Sequence, residues 1–319
     1  MATMGSGDYT YEPVEDWAKL PPGWTFKEIG GVGVDDKDQV YVFNRGEHPM
    51  IVFDRDGNFL RSWGEGIFPR AHGVFVAPDQ TLWLTDDADH SVRQCTREGK
   101  ILLTLGTPGK PTPYMSGEPF HRCTHTAMAP NGDIYVSDGY GNARVHKYTP
   151  DGRLIKSWGS SGTDQGQFNI AHNITCDADG WVYVADRENH RIQVFDGNGK
   201  YETQWNNLHR PCGIFMPSGK CPICYVGELG PVQRVNRDAP NLGPRVTIVD
   251  NTGKQLARLG GLCAGLGPDQ FLAPHGLCVD SRGDIYVGEV SWTQWPQLFP
   301  KDPMPDNLRS LRKFRKVTH

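Results

Sequence analysis

Short apolar runs alternate with polar corners along nearly the whole chain, and the runs recur in one order. A first run ends in a polar corner, as in Val-Phe-Val-Ala-Pro-Asp at 74–79. A second reads Gly-Asp-Ile-Tyr-Val at 132–136 and again at 283–287. A third alternates apolar and polar residues, as in Arg-Ile-Gln-Val-Phe at 191–195. A glycine turn then leads to a last run, as in Arg-Asp-Gly-Asn-Phe-Leu-Arg-Ser-Trp-Gly at 55–64 and Pro-Asp-Gly-Arg-Leu-Ile-Lys-Ser-Trp-Gly at 150–159. Short runs joined by Asp-Gly and Asn-Gly predict antiparallel hairpins. The turn glycines Gly57, Gly99, Gly152, Gly199 and Gly253 recur every 42 to 54 residues. Four strands repeated at that period predict the blade of a β-propeller.

The pattern counts out six blades, starting near Gly30, Ala71, Cys123, Ala171, Pro211 and Pro274. The last copy has three strands and ends with Leu311 to Val317, so its basic stretch of Arg309, Arg312, Lys313, Arg315 and Lys316 reads as strand. The short run Trp24 to Ile29 is expected to supply the missing outer strand and close the ring, hiding its edges. Residues 1–23 read as a polar arm, and 24–319 as one all-β, six-bladed propeller. Two insertions interrupt the period, at 107–122 and at Trp292 to Leu308, and both are candidates for structure over a rim.

Composition narrows the function classes. A net charge of −4 over 319 residues gives no electrostatic reason to expect nucleic acid or an anionic membrane as partner. No run of 18 apolar residues occurs, and the first residues lack the basic and apolar regions of a secretory signal. The expectation is a cytoplasmic protein whose eight cysteines are free thiols. Cys221-Pro-Ile-Cys224 has the spacing of a metal or redox pair, but no second pair accompanies it.

Aligning the repeats collects chemistry into two slots. The start of the innermost strand carries His72, His125, Cys212, His172 and His275 in different blades. Innermost strands line a propeller's central channel, so these side chains should converge. His72, His172 and His275 come from blades 2, 4 and 6, spaced evenly around the ring. Three imidazoles with open positions remaining is a catalytic metal arrangement, suited to Zn, Cu, Fe or Ni. A lone histidine would read as a satisfied core residue; three in one slot read as ligands. His125 is a further ligand, a hydrogen-bonding neighbour or an acid/base. The second slot ends the second strand: Asn44, Asp86, Asp138, Asp186, Glu228 and Glu289. These read mainly as acceptors for turn N–H groups. The following positions vary, offering Arg45, Asp87, Arg187 and Tyr140. Two arginines and a tyrosine there would form an anion clamp and a proton-transfer group, with the tyrosine's pKa lowered beside Arg and a metal. Pairing of Arg45 with Glu47 and of Arg187 with Glu188 is the bland alternative.

The segments Ser-Asp-Gly-Tyr-Gly-Asn-Ala-Arg (137–144), Gly-Gln-Phe-Asn-Ile-Ala-His (166–172) and Ala-Asp-Arg-Glu-Asn-His-Arg-Ile-Gln (185–193) resemble the NHL-repeat family, and more closely the peptidyl-α-hydroxyglycine α-amidating lyases. That resemblance implies a six-bladed propeller that cleaves a C–N bond to leave an amide and glyoxylate. It implies zinc on His72, His172 and His275, a catalytic Tyr140, and active-site arginines at Arg45 and Arg187. Gly276 stands where the family has an aspartate, which argues against carrying over its structural calcium. His125 replaces a residue that is usually acidic, and the family's disulfide positions hold no cysteines.

The expected function is a zinc-dependent lyase acting on a small, α-hydroxylated, carboxylated substrate. His125, Tyr140, Arg45 and Arg187 are its candidate catalytic groups. The same site could serve a hydratase, dehydratase or hydrolase. Outside enzymes, the alternative is a non-catalytic NHL scaffold binding protein or RNA on its rim; a calcium-dependent lactonase-like propeller would want carboxylates where the histidines stand.

Overall fold

The computed structural model describes residues 3–217 and 223–318. Among them the strands form six antiparallel sheets, five of four strands and one of five. The blades begin with Ile29–Val34, Ala71–Val76, His125–Met128, Ala171–Cys176, Pro211–Phe215 and Pro274–Val279. Each then zigzags outward through hairpins, and innermost strands of successive blades face one another around a channel. The propeller read from the repeat is the fold that forms.

The core lies between blades rather than within any one. Tyr41, Phe43, Met50 and Val52 of blade 1 bury against Val74, Leu82 and Leu84 of blade 2. Corresponding clusters fill the other five interfaces. A sheet with both faces apolar is stable only between neighbours, so each blade depends on the next.

Ring closure differs from the expectation. Trp24 to Glu28 is not a strand, and Ile29 opens blade 1. Trp24 instead stacks on His48, with centroids 3.3 Å apart, and Phe26 packs on blade 1. The closing strand is Tyr9–Val14, which pairs antiparallel with Leu311–Lys316. Met4–Ser6 adds a fifth strand beyond it. Part of the expected arm is therefore blade 6. Tyr11 supplies the reason: it is fully buried at the interface of blades 5 and 6, with Phe271 and Phe314, a burial worth about 2–3 kcal/mol.

Of the insertions, the second contains the helix Ser291–Leu298. Its Trp295 and Leu298, with Leu308, bury against Cys212, Leu272 and Ala273 at the starts of blades 5 and 6. The stretch Leu311–Lys316 is strand, as its pattern suggested. No described helix is long and apolar enough to cross a membrane.

Candidate metal centre

A backbone device aims the ligand slot. In five blades the pairing of first and second strands slips by one residue at its start, at Ile29/Gly31, Ala71/Gly73, Ala171/Asn173, Pro211/Gly213 and Pro274/Gly276. The skipped residues are Gly30, His72, His172, Cys212 and His275. Such a bulge turns one side chain out of the pleat. The carboxylates of the second slot hold this corner in place. Asp186, Glu228 and Glu289 accept the backbone N–H three residues ahead of the skipped position, from Asn169, His209 and Leu272. Asp138 accepts from His121 in the same way. Three residues beyond His121 is Thr124, so Thr124 holds this slot in blade 3. His125 is displaced by one, to the position of Asn173 in blade 4, and its expected equivalence with the other histidines is corrected. It pairs regularly with Ser137.

His72, His172 and His275 converge. Their ring centroids are 4.7 to 4.9 Å apart, and their possible ligand atoms lie within 4.8 Å of one another. Each Nδ1 faces a carbonyl oxygen: His72 to Thr124 at 2.6 Å, His172 to Cys212 at 2.8 Å and His275 to Gly30 at 2.6 Å. A carbonyl only accepts, so each Nδ1 carries the proton and each Nε2 keeps its lone pair. The same carbonyl contact orients metal-binding histidines generally. All three imidazoles are held well below their ordinary pKa. Burial is the main cause, followed by the neighbouring imidazoles for His72, Arg187 for His172 and Arg45 for His275. Neutral rings with converging lone pairs fit a divalent transition metal.

Tyr140 reaches the triad from blade 3. Its Oη lies 3.1 Å from His72 Nε2 and 2.9 Å from His172 Nε2. Arg187 Nη1 is 3.4 Å from that oxygen, and Arg187 Nε holds Glu188 at 2.7 Å. Without an ion, burial raises the Tyr140 pKa and outweighs Arg187, the reverse of the lowering expected beside a metal. Arg45 pairs with Glu28 at 2.8 Å, not with Glu47, and its Nε donates to the Ala71 carbonyl. Its Nη2 is buried without a partner.

His125 lines a cavity of about 760 Å³ that runs along the channel, together with His72, His275 and Asn173. Gly73 makes room for it, because a Cβ there would sit 2.5 Å from His125 Nδ1. Burial pushes its pKa down to about 4. It is not in the ligand group. The Asn173 Oδ1 beside it in the ring order is buried without a partner. Cys224 is a buried free thiol, while Cys221 lies outside the described residues.

Cys212 joins the site from the slot where the repeat placed it, while two arginines, Arg70 and Arg122, escaped the sequence reading as site members. Cys212 Sγ is 3.3 Å from His172 Nδ1. Arg70 and Arg122 both bind Asp87, and the Arg122 guanidinium lies 4.8 Å from the Tyr140 ring centroid. The signal was present in register: Arg70, Arg122 and Arg210 all stand two residues ahead of the skipped position.

A family model described as NHL repeat matches residues 168–195. Human NHL repeat-containing protein 3 is 34% identical over 302 residues, covering 89% of this chain and 82% of its own. Peptidyl-alpha-hydroxyglycine alpha-amidating lyase 1 of Drosophila melanogaster is 34% identical over 291 residues, covering 82% of this chain and 51% of its own. Among solved structures, a catalytically inactive virginiamycin B lyase from Staphylococcus aureus with quinupristin aligns at a TM-score of 0.57 and 14% identity. That alignment covers 99% of this chain and 100% of the other, and it is a likeness of fold.

Proposed function

This chain belongs to the NHL-repeat family of which human NHL repeat-containing protein 3 is a member, and on that premise we propose that it is a metal-dependent lyase acting on a small, α-hydroxylated, carboxylated substrate. The observation that carries the proposal is the pairing of three converging, Nδ1-anchored imidazoles with the Tyr140 hydroxyl, 2.9 Å from the nearest Nε2. The relationship to amidating lyases supports the reaction type.

Held by the Nε2 atoms of His72, His172 and His275, a divalent ion, zinc in our proposal, would supply a Lewis acid for the substrate hydroxyl oxygen. Arg45 is fixed at two edges by Glu28 and the Ala71 carbonyl. Its unpartnered Nη2 is the donor we assign to the substrate carboxylate. With the ion bound, Arg187 Nη1 would stabilise Tyr140 as the phenolate, and that phenolate oxygen accepts the hydroxyl proton to become the phenol. The electron pair of the broken O–H bond becomes the second bond of a carbonyl, and the C–N bond breaks. The nitrogen leaves with that bond's electrons and takes the proton back from Tyr140. The products are an amide and an α-oxo acid. His125 is assigned no step, because it stands one position past the ligand slot, on the channel side.

The test is metal analysis of the purified protein, together with glyoxylate release from N-benzoyl-α-hydroxyglycine. About one transition metal per chain and metal-dependent release are expected, both lost in a folded His172→Ala variant. Full activity in that variant would sink the mechanism. A metal-free, inactive wild type would favour a binding scaffold instead.

A further inference from the structure

A second cationic cluster lies beside Tyr140, and the proposed chemistry leaves it unused. Asp87 follows the second strand of blade 2 and its side chain is fully buried. One of its oxygens, Oδ2, accepts from Arg70 Nη1 at 2.9 Å and from Arg122 Nη2 at 2.6 Å and Nε at 3.1 Å. Two guanidinium groups thus share a single carboxylate oxygen, and the trio keeps one unit of positive charge. The other oxygen, Oδ1, is buried without a partner. Arg70 and Arg122 are about one-third exposed. Among the described residues, Arg70 Nε and Nη2 and Arg122 Nη1 have no hydrogen-bond partner.

The trio is close to the reacting groups. The Arg122 guanidinium lies 4.8 Å from the centroid of the Tyr140 ring, and Arg70 shares the Asp87 carboxylate with it. Two arginines gathered on one buried carboxylate, with fork donors left over, form a preset cradle for a carboxylate or phosphate.

We propose that Arg70 and Arg122, braced by Asp87, form a second anion subsite, so that the substrate carries an acidic group in addition to the carboxylate assigned to Arg45. This rests on the lyase reading for the position of the first carboxylate. It makes the substrate class an α-hydroxylated compound with two acidic groups. Arg122 then has two roles, reading the distal acid and holding the Tyr140 ring by a cation–π contact.

Binding can be measured without turnover. Titration calorimetry on the metal-loaded protein would compare 2-hydroxyglutarate with 2-hydroxyvalerate, and 2-hydroxyadipate with 2-hydroxyhexanoate. Each pair differs only in the distal carboxylate. We expect the diacid of at least one pair to bind about tenfold or more tightly than its monoacid, the scale of one charge-assisted contact. Arg70→Gln and Arg122→Gln should each bring that ratio below about threefold. Arg153→Gln, on an exposed turn of blade 3, should preserve it. Equal affinity within both pairs overturns the subsite, as does parallel weakening of both ligands in Arg70→Gln and Arg122→Gln. Preference for the diacid without cleavage of any α-hydroxyglycine upholds the subsite and sinks the lyase. Cleavage without that preference does the reverse.

Discussion

Blades 2, 4 and 6 and blades 1, 3 and 5 enter the channel at the same ring position but contribute different atoms. The even blades present the imidazoles of His72, His172 and His275. The odd blades present the backbone oxygens of Thr124, Cys212 and Gly30, each receiving the Nδ1–H of the preceding even blade. The odd slots hold three unrelated residues, which makes sense if only their carbonyls are used. A carbonyl comes with every residue type; an imidazole does not. Corresponding corners of the six blades thus become an imidazole cluster and its orienting carbonyls by alternation.

The sharpest way to break the alternation is to remove an even side chain. His275→Ala should weaken metal binding by more than about 100-fold, beyond what changes to an orienting partner usually cost. Competition against a chelator, with folding checked by circular dichroism, would measure it. Disturbing an odd corner without removing its carbonyl should cost less. Thr124 Oγ1 lies within 3.0 Å of the Ser137 and Ala171 carbonyl oxygens and so helps to fix its own backbone. Thr124→Ala should lower metal affinity by roughly tenfold, read in the same competition.

Acid tests the neutral state of the rings. His125 has its folded pKa pushed down to about 4, and the triad is shifted in the same direction. Below the ordinary histidine value of about 6.5, the unfolded chain binds protons that the folded chain refuses. Stability is therefore retained above about pH 6.5 and lost as pH falls toward 4. The metal-free protein should show a Tm that drops across this window, and His125→Asn should flatten the slope. The smallest effect is expected at Cys212→Ala. Its carbonyl survives, so metal affinity should change by less than about threefold, against the larger factors set by orienting partners. A large loss there would mean that the thiol itself serves the site.

Local pattern revealed the hairpins because each blade writes its own turns and apolar faces. It revealed His72, His172 and His275 because their flanking residues keep the bulge register. It mislaid His125 because Cys123-Thr124-His125 follows an insertion, and a shift of one residue moves a side chain to a different place. The closing strand Tyr9–Val14 was missed for another reason. It carries little apolar signal beyond its tyrosines, and its partner Leu311–Lys316 lies at the far end of the chain. Arg70, Asp87 and Arg122 were not legible as a group because their meeting depends on two blades being side by side.

Ring closure completes the anchoring of the histidine cluster. The carbonyl that steadies His275 belongs to Gly30, so this contact crosses the seam between last blade and first. Beside that seam, Tyr9–Val14 pairs with Leu311–Lys316. His72 and His172 take their bearings from the next blade along the chain, through Thr124 and Cys212, whereas the third imidazole takes its own from across the seam.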